Sequence, residues 1–221
     1  MISHAAIRSG AVGPLAVNCY ILFDQDTRDA AIIDPGGEPR QIMEWVKKID
    51  ARVLYILNTH GHCDHTGANL ALKEQWDVPI GIHEFDAHLL EDPDLSGANV
   101  LNLPFTLHKP DFTFVDGEFV DVGGVRLWAI HTPGHSPGSC SFFLWSDGYG
   151  RPVLFSGDTL FAGGVGRTDL PTGNQSDLFI SLDKLVKCIP EETMVFPGHG
   201  PVTSFANERQ TNPFILNLQP S

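Results

Sequence analysis

Short apolar runs bounded by polar turns dominate the first half of the chain. Runs such as NCYILF and RVLYIL are rich in strand-forming residues, and the predicted strands cover residues 18–23, 29–35, 52–57 and 78–83. Helices are predicted at residues 38–50 and 66–76. In the first of these, the apolar positions that recur on one helix face are Ile42, Trp45, Val46 and Ile49. Strands and helices therefore both occur in this half of the chain.

The second half repeats this mixture without repeating the sequence. Strands are predicted within residues 112–135, 138–145, 151–158 and 193–200. Residues 175–189 predict an amphipathic helix whose apolar side carries Leu178, Leu182, Leu185 and Val186. No stretch between these elements has the character of a linker, so we expect one domain over residues 1–221. Two sheets with helices outside them fit this order of elements.

Residues 96–108 (SGANVLNLPFTLH) read as an irregular excursion. They either rim a cleft or form an ordinary surface loop, and the sequence leaves both readings open.

Composition and charge exclude several classes of protein. The 221 residues carry a formal net charge of −13, so the basic surface of a nucleic-acid-binding protein is missing. The chain contains no run of about 18 apolar residues and no secretory signal, so we expect no membrane span and a cytoplasmic location. Its four cysteines lack CxxC spacing, which is typical of reduced thiols in a cytosol.

Metal-ligand side chains are densest in the segment HGHCDH, residues 60–65. Alternate residues of an extended segment point the same way, so His60 and His62 can share one metal. Asp64 and His65 are adjacent, and one or both can serve a neighbouring ion. Imidazole and carboxylate suit zinc, iron or manganese. The alternative is a histidine-rich surface loop without metal.

A loop of four ligands cannot close one compact site alone, so distant partners are expected. His135, Asp158 and His199 each follow a predicted strand, in the motifs HTPGHSPGS, FSGDTLF and FPGHG. Three such residues at the same kind of position are the natural candidates.

In this order, the motifs THGHCDH, HTPGHSPGS, FSGDTLF and FPGHG resemble those of the metallo-β-lactamase-fold hydrolases. The resemblance runs from about Asn18 to His199 and implies an α/β fold, a four-layer αββα sandwich with the site at one sheet edge. It implies that a first metal is held by His60, His62 and His135. It implies that a second metal is held by Asp64, His65 and His199. Asp158 takes the position of the bridge between the two ions.

A finer resemblance is to the compact glyoxalase II-like branch. NCYIL, AIIDPGG, LFAGGVGRTDLP (160–171) and NERQTNPF (207–214) are similar to segments of that branch. Only 21 residues follow Gly200, too few for the C-terminal helical domain that supplies much of the glutathione-binding surface in the classical enzymes. No tyrosine follows closely after His199 either. The resemblance therefore implies hydrolysis more directly than glutathione recognition.

The activity implied is hydrolysis of a small thioester, foremost S-D-lactoylglutathione or a related S-acyl-glutathione. Two divalent ions, zinc first and iron or manganese as alternatives, would hold a bridging hydroxide that attacks the thioester carbonyl. Asp64 is the candidate that both ligates and orients this nucleophile. A thioester suits the arrangement because a thiolate leaves readily. No G-x-S-x-G motif indicates a serine nucleophile instead.

Other polar residues have weaker signals. Arg167 either faces an anionic group of the substrate or pairs with Asp169. Cys63 is expected to fill space in the core, and Asp34 to brace a loop. The remaining histidines lack a motif; His131 is expected to be structural, and surface positions are expected for His4, His83, His88 and His108.

Three other functions remain open. A mononuclear iron persulfide dioxygenase shares the fold and would use two histidines and Asp158. A hydrolase of another small ester or a lactam is a second alternative. The third is a non-enzymatic, metal-dependent binding or scaffold domain, which would not need seven ligands around an open site. The sequence does not indicate an oligomeric state.

Overall fold

The computed structural model describes residues 4–147 and 150–218. Within these residues, twelve strands form two six-stranded sheets. The first sheet contains, in spatial order, β1 (Ala5–Val12), β2 (Val17–Asp24), β3 (Asp29–Ile33), β4 (Arg52–Leu57), β5 (Ile80–His83) and β6 (Phe112–Phe114). The second contains, again in spatial order, β7 (Phe119–Val122), β8 (Val125–His131), β9 (Cys140–Leu144), β10 (Val153–Gly157), β11 (Met194–Pro197) and β12 (Thr203–Ser204).

Five of the eight helical segments in the described residues pack on the outer faces of the two sheets. The eight are α1 (Pro39–Ile49), α2 (Cys63–Thr66), α3 (Asn69–Trp76), α4 (Ala98–Leu101), α5 (Gln175–Cys188), α6 (Phe205–Thr211), α7 (Pro213–Leu216) and a 3₁₀ helix, Glu84–Glu91. Helices α1 and α3 cover the first sheet, and α5, α6 and α7 cover the second. The αββα sandwich implied by the sequence is therefore confirmed. Over the described ranges, none of the helices has both the length and the apolar character to cross a bilayer.

Side-chain alternation along β2 shows why the first sheet is buried on both faces. Tyr20 and Leu22 pack into the core between the sheets, whereas Ile21 points the other way, against Ile42 and Val46 of α1. Neighbouring residues of a strand point to opposite faces, so a continuous apolar run such as NCYILF requires a covering layer on each side.

The second sheet follows the same rule. Phe142 of β9 and Phe155 of β10 face the first sheet, whereas Phe143 and Leu154 face α5. The buried apolar side chains of α5 are Leu178, Leu182 and Leu185. Three of the four positions predicted to form the apolar side of this helix are thus buried, and Val186 is partly buried.

The carboxyl ends of several strands meet at one edge of the sandwich. Strand β4 lies parallel to β3 and β5, and β10 lies parallel to β11. Backbone hydrogen bonds join the two sheets there: the Cys140 N–H donates to the Thr59 carbonyl and the Asn18 N–H donates to the Gly198 carbonyl, both at 2.8 Å. The loops after β4, β8, β10 and β11 are consequently held against one another.

Several element boundaries differ from the sequence prediction. Helix 66–76 is instead two pieces, α2 and α3, and the first begins at Cys63, inside the ligand segment. Residues 96–108 contain one helical turn, α4. Strand β1 was not predicted because only its two ends are buried, so its sequence does not alternate cleanly.

His83 is buried, and the predicted surface position is wrong for this residue. It ends β5 with 1% of its surface exposed, and its ring stacks on His131 at 4.1 Å between centroids and 9° between planes. Its Nδ1 accepts a hydrogen bond from the Phe85 N–H at 3.3 Å. Burial, reinforced by His131, lowers the pKa of His83 to about 4.

We expect this buried histidine to make the fold sensitive to acid. The unfolded chain protonates His83 with a pKa of about 6.5, whereas the folded chain resists protonation until about pH 4. Unfolding therefore takes up a proton between these values, and His83 removes about 2 kcal/mol of unfolding free energy between pH 7 and pH 5. The measurement is urea denaturation at both pH values for the native chain and His83→Gln, in the same metal state. The variant should lose about 2 kcal/mol less than the native chain; equal losses would contradict this assignment.

Candidate metal centre

The ligand segment after β4 changes conformation midway. The backbone is still extended at His62 (φ −69°, ψ 145°), and the helical turn α2 starts at the next residue. His60 and His62 therefore lie side by side, with ring centroids 4.8 Å apart. The helical turn carries Asp64 and His65, and it brings the His65 ring to 4.1 Å from that of His60. One short segment thus directs four ligand side chains into the same space.

The distant histidines and the aspartate complete this arrangement. The first group consists of His60, His62 and His135. The second group consists of Asp64, His65 and His199. In each group the potential ligand atoms lie within 4.8 Å of one another, and the same holds for His60, His65 and Asp158. The structure therefore brings together all seven residues that the sequence singles out as ligands.

Asp158 lies between the two groups. Its Oδ1 is 3.4 Å from His65 Nε2, and its Oδ2 is 3.5 Å from His135 Nε2 and 3.6 Å from His199 Nε2. The carboxylate thus faces the first group through His135 and the second through the other two histidines. A carboxylate in this position could be shared by two cations.

Buried polar atoms without hydrogen-bond partners converge in this cluster. They include His60 Nε2, His65 Nε2 and Asp158 Oδ1. His62 Nδ1 and His135 Nε2 are only 2.8 Å apart, so two ring nitrogens point at the same place. Orphaned buried polar atoms are rare in proteins because each loses its hydration without compensation. A donor set of imidazole nitrogens and carboxylate oxygens with open lone pairs fits divalent metal ions.

Burial keeps the imidazoles of His60 and His62 in their neutral form. Burial of His62, reinforced by His135, lowers its pKa to about 3. The pKa of His60 is also well below its usual value, chiefly because the ring is buried and then because of His65. Both side chains are therefore neutral at neutral pH and present nitrogen lone pairs, the form that binds metal.

The carboxylates favour positive charge in the same cluster. Burial opposes ionisation of Asp158, but the neighbouring His65 imidazole holds the pKa of this carboxyl well below the usual range. Burial likewise opposes protonation of His65, yet Asp158, Asp64 and Asp34 together raise its pKa well above the usual value. The three carboxylates thus create a site for cationic charge, which a metal ion can supply in place of a proton.

A layer of hydrogen bonds orients the ligands from behind. Asp34 accepts from the Thr59 N–H at 2.8 Å and from the Thr59 hydroxyl at 2.7 Å, and its Oδ2 lies 3.1 Å from His65 Nδ1. The Thr59 hydroxyl also contacts His60 Nδ1 at 3.0 Å. These contacts turn Nε2 of both rings toward the cluster centre, as outer partners of metal-binding histidines do. Asp34 braces the loop as expected, but the sequence alone did not reveal that its partners were Thr59 and His65.

A pocket opens over the cluster. The ligands that reach it are His62, Asp64, His135, Asp158 and His199. Its remaining walls are mostly apolar, formed by Leu15, Leu101, Phe161, Val165 and Leu170. Leu101 belongs to the excursion at residues 96–108, so of its two readings the structure supports the cleft rim.

Arg167 pairs with Asp169, one of the two readings that the sequence leaves open, and it also lies at the pocket. Its guanidinium donates two hydrogen bonds to Asp169, at 2.6 and 2.8 Å, and it also lines the pocket. Its backbone carbonyl lies 2.7 Å from His135 Nδ1, so the loop that carries Arg167 also orients a ligand. Among the described residues that line the pocket, Arg167 is the only lysine or arginine.

A two-sheet sandwich with a cluster of histidines and aspartates at one edge defines a class of metal-dependent proteins. Comparison with known proteins places the chain in the same class. Residues 12–199 match the sequence profile of the Metallo-beta-lactamase superfamily. The chain belongs to this superfamily, and it is a hydrolase of that class. The resemblance recognised in the sequence is confirmed.

Its relatives include named hydrolases. The chain is 38% identical to the probable metallo-hydrolase YqgX of Bacillus subtilis, covering 92% of this chain and 94% of that protein. It is 36% identical to the hydroxyacylglutathione hydrolase GloC of Haemophilus influenzae, covering 90% and 92% respectively.

Solved structures with the same fold carry two different descriptions. BLEG-1, a B3 metallo-beta-lactamase, superposes with a TM-score of 0.87 at 37% identity, covering 95% of this chain and 99% of that one. TTHA1623 in a di-iron-bound form superposes with a TM-score of 0.82 at 38% identity, covering 94% and 99%. The fold and the cluster indicate divalent metal binding.

Proposed function

We propose that this protein is a binuclear metallohydrolase that cleaves a small thioester, S-D-lactoylglutathione or a related S-acyl-glutathione. The observation that carries the proposal is the pair of ligand groups, with Asp158 facing both, at the floor of an open pocket. Similarity to GloC over 90% of the chain supports the thioester as the bond that is cleaved.

In this proposal each ligand group would hold one divalent ion, with zinc the first candidate, and Asp158 would be shared. Such a pair of ions supplies a hydroxide at neutral pH and polarises the substrate carbonyl. Iron is the second candidate, because the similar protein TTHA1623 is described in a di-iron-bound form.

The chain's own residues would prepare the substrate and the nucleophile. Asp64 lines the pocket and its Oδ2 lies 3.3 Å from His199 Nε2, so its carboxylate is placed to accept a proton from the attacking water and orient it. Phe161 and Leu101 would pack against the acyl and thiol chains and displace water from the reacting bond. A thiolate leaves without an acid at its sulfur.

Arg167 is the residue we expect to select an anionic substrate. Replacing it with methionine keeps the apolar stem and leaves the backbone contact with His135 in place. Because a hydrogen bond to a charged group contributes roughly 1.5 kcal/mol at the low end, KM for S-D-lactoylglutathione should rise about tenfold with kcat little changed. A neutral substrate, the lactoyl thioester of N-acetylcysteamine, should show no such rise.

The matched control is Asp169→Asn, which frees the guanidinium from its present partner. This variant should keep or lower KM for the anionic substrate. If Arg167→Met impaired both substrates equally, Arg167 would have a structural role only.

One experiment tests the proposed function against its alternatives. Protein purified without added metal is analysed for metal content, then assayed in parallel for S-D-lactoylglutathione hydrolysis, β-lactam hydrolysis and glutathione-persulfide-dependent oxygen uptake. Two metals per chain with thioester hydrolysis support the proposal. Faster β-lactam hydrolysis would favour the activity named for BLEG-1, which the high structural similarity makes the second candidate. One iron with oxygen uptake would overturn the proposal.

A further inference from the structure

Asp86 is a buried carboxylate that neither lines the pocket nor belongs to the ligand cluster. It lies in the 3₁₀ helix after β5, and none of its surface is exposed. Its Oδ2 accepts hydrogen bonds from the Gly61 N–H at 2.8 Å and from the Ser136 hydroxyl at 2.6 Å. Its Oδ1 accepts from the Gly138 N–H at 2.5 Å. A buried carboxylate with three donors is costly to disturb.

The three donors belong to the two loops that carry the first group. Gly61 lies between His60 and His62, and Ser136 directly follows His135. These loops come from opposite sheets, after β4 and after β8. One carboxylate thus connects the two chain segments whose histidines must converge on one ion, and its hydrogen bonds go to the residues beside the histidines, Gly61, Ser136 and Gly138.

Both loops are pressed closely against the helix that carries Asp86. A Cβ at Gly61 would lie 2.6 Å from the Cβ of Leu89, and one at Gly138 would lie 2.5 Å from the backbone nitrogen of Asp86. Each distance is shorter than real Cβ contacts allow, so only glycine permits the approach. With so little space, another acceptor such as water cannot readily take the place of the carboxylate.

We propose that Asp86 is a positioning residue that sets the separation of the His60–His62 loop from His135, and through it the metal affinity of the first group. This inference rests on the proposed binuclear centre. The second group is held differently: Asp34 braces His65, and a backbone hydrogen bond from Asn18 holds the Gly198 carbonyl next to His199. Losing Asp86 should therefore affect the two groups unequally.

The test is metal binding rather than turnover. Metal-free protein is titrated with Zn²⁺ against a chromophoric chelator in two backgrounds, His199→Ala, which disables the second group, and His135→Ala, which disables the first. In the His199→Ala background, adding Asp86→Asn should weaken the remaining site by about tenfold, at the low end of what outer partners of metal ligands contribute. In the His135→Ala background the same change should alter the affinity less than twofold. Such a difference would show that Asp86 is coupled to metal binding at the first group and not at the second.

Asp24→Asn is the matched control. Asp24 is also a buried carboxylate, 4% exposed, and it accepts from the backbone N–H groups of Gly124 and Asp26 at a distant turn. It should lower thermal stability without changing metal affinity in either background. Ser136→Ala removes one of the three donors, and it should give a smaller weakening confined to the first group even where Asp86→Asn folds poorly.

The outcomes separate this inference from the proposed function. If the native chain binds two Zn²⁺ but Asp86→Asn and Ser136→Ala leave the first group's affinity unchanged, Asp86 is structural only and the inference fails. An equal loss in both backgrounds would also overturn it. If the native chain, in which both groups are intact, binds fewer than two Zn²⁺, the proposed binuclear centre itself is wrong.

Discussion

The Asp158→Ala variant is expected to bind less than one Zn²⁺ per chain and to lose at least about a thousandfold in kcat/KM for the thioester. Asp158 faces His65, His135 and His199, so in the proposed binuclear centre its removal would take an oxygen ligand from both groups at once. A thousandfold loss corresponds to about 4 kcal/mol of transition-state stabilisation, the size found when one strong electrostatic contact is removed from an active site. Metal analysis after gel filtration and steady-state kinetics on the same sample measure both effects.

The Asp24→Asn variant controls for the loss of a buried carboxylate as such. It should retain two Zn²⁺ and native kinetics, because its partners lie at the turn containing Gly124, away from the cluster. Circular dichroism should show that Asp158→Ala keeps its sheets and helices. Retention of two tightly bound ions in Asp158→Ala would exclude Asp158 as the shared ligand.

The second large effect is expected at Asp64. In Asp64→Ala the first group is complete, so the variant should bind one Zn²⁺, keep its fold and lose about a hundredfold to a thousandfold in kcat. The loss combines a missing ligand of the second group with the missing acceptor that orients the nucleophile.

Asp64→Asn separates these two contributions. The amide oxygen can still act as a weak ligand, but the side chain cannot take a proton. At saturating Zn²⁺ we expect Asp64→Asn to regain the second ion while kcat stays low. Full activity in either variant would contradict the nucleophile-orienting role of Asp64.

The convergence of the seven candidate ligands was predictable from the sequence because the signals were local. His60, His62, Asp64 and His65 lie within six residues, and each of the other three lies within four residues of the end of a strand that its apolar run reveals. Strand ends of neighbouring strands meet at a sheet edge, so position along the chain translated into position in space. The spacing of apolar residues on one helix face is also a local signal, and it predicted α1 and α5 to within a residue or two at each end.

Buried polar residues outside the cluster were not predictable in this way. Asp86, which connects two of its loops, and His83 look like any polar residue beside a strand, and their burial results from packing against loops far along the chain. Asp34 was expected to brace a loop, but its contact with His65 was not expected. Asp34 has a left-handed backbone conformation (φ 51°), which cannot be predicted from one aspartate in a sequence. Long-range contacts of this kind leave no periodic signal in a sequence.

Each sheet is built from one uninterrupted half of the chain, β1 to β6 and then β7 to β12. Each ligand group nevertheless draws on both halves, since His60 to His65 precede β5 while His135 and His199 follow β8 and β11. During synthesis the first half can form its sheet long before His199 emerges from the ribosome. A tightly held pair of ions would then report that the two halves have docked in register, and the metal content of a preparation would measure its folding quality as well as its readiness to react.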